Sequence, residues 1–170
     1  LNTVVFALGA YFSLSRTVDP RWYIALRACI VSYGVVVGVV YNLLLAGIPA
    51  TDGYINSYPW TNVFEHMIAP AYLFVEWILV PGRSRLAWRI IGICATYPIV
   101  WAILSMYRGL AGDGWFPYFF LNPGEAGWNG VALYIVAIAA FMMGLCAFAV
   151  GVQRVHARVF VDAGLDRNRL

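Results

Sequence analysis

Within residues 62–77, NVFEHMIAPAYLFVEW, an otherwise apolar run carries Glu65, His66 and Glu76, with Pro70 between them. An ionisable group at membrane depth is costly, and it marks a functional site by default. A neutral imidazole accepts a proton through one nitrogen while the other is held by a partner, which equips it as a general base. Asn62 stands four residues before His66 and Pro70 four after, so a helix puts all three on one face. Pro70 has no amide N–H, so the His66 carbonyl loses its usual helical partner and a polar recess is expected beside it. The alternative for the same histidine is a structural one, bonding across helices.

The two carboxylates read differently. Glu65 points about a quarter-turn away from His66, and an ion pair with Arg108 is favoured over a catalytic use. Glu76 lies near the other end of the run, within reach of Arg83 or Arg85, and reads as an interfacial anchor. A base also needs a nucleophile at its own depth. Thr3 stands twelve residues before Ser15 at the end of the first apolar run, and His66 fourteen before Val80 at the end of its own. The two therefore fall at similar depth if both runs descend together. A helical threonine also has a structural use, bonding the carbonyl one turn back. Thr96 and Ser105 are the other hydroxyls in a later run, and spacing alone singles out neither.

The elements that carry these residues are set by composition. Of 170 residues, 62% are hydrophobic and 11% charged, with a mean hydropathy of +0.75. Soluble domains carry roughly 25% charged residues, so this chain lacks the polar side chains to cover a water-facing surface. The expected class is an all-α, polytopic transmembrane helix bundle over residues 1–152, followed by a cytoplasmic tail, 153–170. Spans are expected at about 1–15, 28–48, 61–80, 90–107 and 131–152. The first run covers about 22 Å at ~1.5 Å per residue, short of the ~30 Å hydrocarbon core. It reads as the inner part of a longer span.

All eleven basic residues are arginine, and ten of them fall at alternate ends of these runs. Arg16, Arg21 and Arg27 follow the first, Arg83, Arg85 and Arg89 the third, and four more lie in the tail. That bias places the tail and the arginine-rich loops in the cytoplasm and the Asp52 loop outside. It also puts Leu1 toward the outside, so one further helix is expected upstream, six in all with five visible. The arginines mark topology rather than one basic face, which excludes a nucleic-acid footprint. Gly34 and Gly38 form a GxxxG pair suited to close helix packing, with no partner assigned.

Cys29, Cys94 and Cys146 each sit in a different apolar run and read as small apolar fillers rather than a disulfide set or a metal site. Haem is poorly served, since His156 lies beyond the last span. No Walker loop, GxSxG or HExxH occurs, and no cofactor or metal is expected. The segment WFPYFFLNP, Trp115 to Pro123, puts five aromatic rings in six residues. It reads either as an interfacial belt or as a fixed lid over an outward-facing cavity.

TNVFEHMIAPAYLFVEW, then YPIVWAILSMYRG from Tyr97 to Gly109, then WFPYFFLNP, taken in that order, resemble the androgen-induced-gene and androgen-dependent TFPI-regulating protein family. The similarity is greatest to its bacterial membrane-protein branch, and it runs from about Leu1 to Val152. The resemblance implies a multi-span bundle in the bacterial plasma membrane. It also implies an intramembrane threonine hydrolase, since animal members cleave fatty acid esters of hydroxy fatty acids with a threonine and a histidine. The family histidine falls on His66, preceded by Asn62. The family threonine falls upstream of Asn2, outside this chain, and Thr3 stands in for it on depth alone. The expected partners are membrane lipids and an acyl-ester substrate. The rival expectation is a non-enzymatic transporter or lipid-binding assembly factor, with Glu65, His66 and Arg108 as a buried polar network.

Overall fold

The computed structural model describes residues 2–15, 19–46, 59–80 and 85–162. It is all-helical, with no strand among the described residues. Six α-helices follow one another among the described residues: α1 (Asn2–Ser15), α2 (Arg21–Val40), α3 (Pro59–Val63), α4 (Ala69–Leu79), α5 (Ile90–Ala111) and α6 (Pro123–Asp162). Two π-helical turns interrupt them. Tyr41–Leu45 extends α2, and Phe64–Ile68 joins α3 to α4. Among the described residues three helical stretches are long and apolar enough to cross a membrane: Arg21–Leu45, Ile90–Ala111 and Pro123–Val159.

Several boundaries differ from the expected spans. The second helix begins at Arg21 rather than residue 28, because Pro20 supplies its N-cap and its carbonyl accepts the first amides, from Tyr23 and Ile24 at 3.0 and 3.1 Å. Arg21 and Arg27 are therefore helical. Residues 153–162, expected as tail, continue α6. Part of the expected 108–130 loop is helical too. α5 runs on to Ala111, and α6 starts at Pro123. Asn122 caps that start, accepting from the Gly124 amide at 2.9 Å and donating to the Glu125 carboxylate at 2.9 Å. α6 then kinks at Gly127, whose φ of +67° only glycine adopts without strain.

α2 is the central post. It packs against α1, α4, α5 and α6, and Ile24, Ala28, Ile30 and Val31 on it are buried. Polar groups tie the other helices to it and to each other. The Tyr23 hydroxyl donates to the Val5 carbonyl of α1 at 3.0 Å, and a methyl group on Gly9 would lie 2.6 Å from that hydroxyl. The fully buried Trp77 of α4 donates its indole N–H to the Ala149 carbonyl of α6 at 3.1 Å. In α5, Pro98 lacks the amide that would bond the Cys94 carbonyl, and Tyr33 of α2 donates its hydroxyl there at 2.5 Å.

The three cysteines come together where α2, α5 and α6 meet. They are buried free thiols within one core cluster. The outward faces are apolar; on α5, Ile93, Tyr97, Val100, Ile103, Leu104 and Tyr107 are all exposed. A patch that large is not left open to water by an ordinary soluble monomer.

The aromatic segment folds onto α5 and α6. Phe119 and Phe120 pack on Tyr134 at 6.0 and 5.5 Å between ring centroids, and Tyr118 packs on Trp101 at 6.0 Å. Phe116 covers Gly109 so closely that a β-carbon there would sit 2.2 Å from the ring. The segment is a fixed cap on the α5–α6 end.

Candidate functional site

The His66 helix is irregular for a local reason. Pro70 cannot donate back along the helix, and its ring crowds the preceding turn. The chain responds by widening to a π turn, in which the Ala69 amide bonds the Phe64 carbonyl five residues back. The facing end of α2 does the same, with Ala46 bonding the Tyr41 carbonyl at 2.7 Å. Two π turns thus oppose each other, and such turns frequently sit at functional sites.

Gly34 and Gly38 make that opposition close. A β-carbon on Gly38 would lie 3.0 Å from the His66 carbonyl oxygen and 3.2 Å from Pro70, and one on Gly34 would lie 3.4 Å from Leu73. The glycine pair therefore has its partner, the His66–Leu73 face.

Four side chains gather there. The His66 ring stacks on Tyr41, 4.1 Å between centroids and 29° between planes. Asn62 donates its side-chain amide to the Tyr41 hydroxyl. The Asn62 backbone carbonyl lies 3.0 Å from His66 Nδ1. Asn42 donates to the His66 carbonyl at 3.2 Å and to the Gly38 carbonyl at 2.8 Å, so the acceptor that Pro70 deprives is supplied from α2. The carbonyl that Pro70 leaves without its helical donor is thus met by a side chain of the neighbouring helix.

This arrangement assigns the tautomer. A backbone carbonyl only accepts, so the neutral ring carries its proton on Nδ1, and Nε2 keeps its lone pair. No partner binds Nε2 among the described residues. The Tyr41 hydroxyl, already accepting from Asn62, retains a proton to donate. A half-buried base and a phenolic donor thus lie side by side. Leu43, Phe64, Met67 and Ile68 around them are exposed apolar side chains.

The remaining expected residues are placed as follows. Asn62, His66 and Pro70 lie together. Thr3 is exposed on α1, and no hydrogen bond joins it to His66 among the described residues. Phe6, three residues below Thr3, meets Tyr72, six below His66, at 6.5 Å, so Thr3 lies about one helical turn deeper than the histidine. Glu65 is exposed and does not meet Arg108. That pairing is corrected: Arg108 grips Asp113 with contacts of 2.6 to 3.2 Å and lies 4.5 Å over the Trp115 ring. An aspartate five residues on is reached without crossing the bundle. Arg108 is therefore part of the aromatic cap. The Thr96 hydroxyl bonds the Gly92 carbonyl of its own helix at 3.3 Å.

Glu76 meets Arg27 at 2.5 Å, both side chains being 17% exposed, and Arg27 also lies 3.7 Å from Asp19. Arg83, one of the two partners expected for Glu76, is outside the described residues. The Arg27–Glu76 pair closes one end of a cavity of about 230 Å³ between α1, α2 and α4, walled by Val5, Phe6, Ile30 and Leu73. An open, mostly apolar face runs down α4 past Met67, Ala71, Val75 and Leu79.

Sequence reasoning missed Tyr41 and Asn42. The one signal was two adjacent polar residues near the end of an uncharged run that also carries Ser32 and Tyr33. Among the described residues no group of three or more His, Cys, Asp or Glu side chains is arranged to hold a metal ion. No protein-family model matches the chain, and neither a curated protein nor a solved structure matches it.

Proposed function

We propose that this chain is an integral membrane protein that holds the polar part of a lipid or acyl ester at the Tyr41–Asn62–His66 cluster, and that His66 serves as general base in its hydrolysis. The observation that carries the reading is the Nδ1 contact with the Asn62 carbonyl, which leaves Nε2 without a hydrogen-bond partner among the described residues. The apolar face of α4 begins at Met67, next to the histidine, and offers a surface along which an acyl chain can lie.

In this reading a threonine hydroxyl attacks the ester carbonyl while Nε2 takes its proton. The imidazolium returns that proton to the departing alkoxide, and water then cleaves the acyl-threonine with Nε2 again as base. Thr3 is the nucleophile candidate within the chain. The resemblance to androgen-induced-gene-type membrane hydrolases points instead to a threonine upstream of it. α1, α2 with its π turn, residues 59–79, α5 and α6 are the five spans, in a bacterial plasma membrane with the arginine-rich ends and the C-terminus cytoplasmic.

A second reading, lipid binding without turnover, is favoured by one fact: no hydrogen bond joins Thr3 to His66 among the described residues. Turnover of a fluorogenic acyl ester and fluorophosphonate labelling of the intact protein in detergent separate the two. Catalysis requires both signals to be abolished by His66→Ala. Turnover that survives this substitution sinks the general-base role, while acyl-ester binding without any turnover establishes the second reading.

A further inference from the structure

At the other end of the molecule the ten-residue extension of α6 brings like charges together. Arg154 and Arg158 stand one turn apart on α6, and the Arg154 guanidinium reaches Leu86, the residue next to Arg85. Arg154 is held in place. It donates to the Leu86 carbonyl at 3.1 Å and lies 5.2 Å over the Trp88 ring. Among the described side chains no carboxylate pairs with Arg85, Arg154 or Arg158, whereas Arg27 pairs with Glu76 and Asp19 and Arg108 with Asp113. Like charges gathered at a fixed position are unfavourable unless an anion sits among them.

We propose that this cluster binds the phosphate headgroup of an acidic phospholipid. Its depth suits a headgroup. The uncharged run 131–152 of α6 covers about 33 Å at ~1.5 Å per residue, just over the ~30 Å hydrocarbon core, so Arg154 emerges at the level of lipid phosphates. Its surroundings suit a lipid rather than a free anion. Exposed Trp88 and Ile93 on one side and Val155 and Val159 on the other form an apolar rim where acyl chains can lie. The Trp88 ring, half exposed beneath the guanidinium, matches the amphipathic rings that gather at the interface. A zwitterionic headgroup brings its own cation and leaves part of the excess charge unbalanced, so an anionic lipid is preferred.

The proposal rests on the membrane placement above, which is checked first: the protein must be recovered from membranes only with detergent. Failure there overturns the placement and this site with it. The purified full chain is then titrated with phosphatidylglycerol and with phosphatidylcholine in mixed micelles, following thermal shift and lipid adducts in native mass spectrometry. Phosphatidylglycerol is expected to bind preferentially. Arg85→Gln/Arg158→Gln, which leaves the Arg154–Leu86 bond untouched, should weaken it about tenfold or more. Arg21→Gln removes a charge from the same end but outside the cluster and should leave binding unchanged. Equal losses in both variants would mean diffuse charge attraction and overturn the site. An equal shift from millimolar inorganic phosphate would identify a free-anion site and overturn the lipid assignment.

Discussion

The hydroxyl of Tyr33 on α2 donates to the carbonyl of Cys94 on α5 at 2.5 Å, occupying the acceptor that Pro98 cannot reach. One helix thereby completes another's hydrogen bonding. Tyr33→Phe keeps the ring, and its packing on Tyr97, but strands a carbonyl inside the bundle. It should cost about 1–3 kcal/mol. Thermal or chemical unfolding in detergent reads the loss, and an unchanged midpoint would show that the bond contributes nothing net.

The glycine pair on α2 makes a graded prediction. Gly38→Ala places a methyl 3.0 Å from the His66 carbonyl and 3.2 Å from Pro70, both rigid, while Gly34→Ala meets the movable tip of Leu73 at 3.4 Å. Gly38→Ala should destabilise by about 1–3 kcal/mol and push the two π turns apart, and Gly34→Ala should cost less than half as much. The His66 ring shifts, read by NMR, should move in the first variant alone.

Gln153 is fully buried on α6, and neither its amide nitrogen nor its oxygen finds a partner among the described residues. A desolvated, unpaired amide costs about 1–3 kcal/mol. Gln153→Leu is of similar volume and removes that penalty, so it should raise the unfolding midpoint. A lowered midpoint would mean that the amide is bonded in the bilayer-embedded protein.

The cap predicts a pH response. Arg108 beside Asp113, with the Trp115 amide also donating to that carboxylate, holds the Asp113 carboxyl below the usual carboxylate range. The folded pKa lies below the unfolded one, so the stabilisation is complete above the unfolded value and is lost as pH falls through the lower, folded value. The Trp115 amide proton shift should therefore titrate with a midpoint below the ordinary aspartate value of about 3.9. In Asp113→Asn the step should vanish.

The long apolar runs were legible because hydrophobicity sustained beyond the spanning length has few other uses. His66 with Asn62 and Pro70 was legible because helical spacing alone puts them on one face. Tyr41 and Asn42 were not, since they join the site only through two π turns, and a π turn has no sequence period of its own. The Arg27–Glu76 pair spans 49 residues of sequence and depends on how α2 and α4 lie together. Nearby charges in sequence, such as Arg85, were the natural partners to expect. The start of α2 at Arg21 was hidden because its first two turns carry arginines that an apolar-run reading assigns to a loop.

The meeting of Cys29, Cys94 and Cys146 gives this bundle a built-in clock. Each thiol comes from a different helix, and each is shielded by the other two helices, so a water-soluble alkylating reagent reaches none of them while the junction is closed. Separation of α2, α5 and α6 uncovers all three together. The rate of alkylation at limiting reagent thus measures how often the junction opens, and a molecule carrying one adduct should rapidly acquire the others.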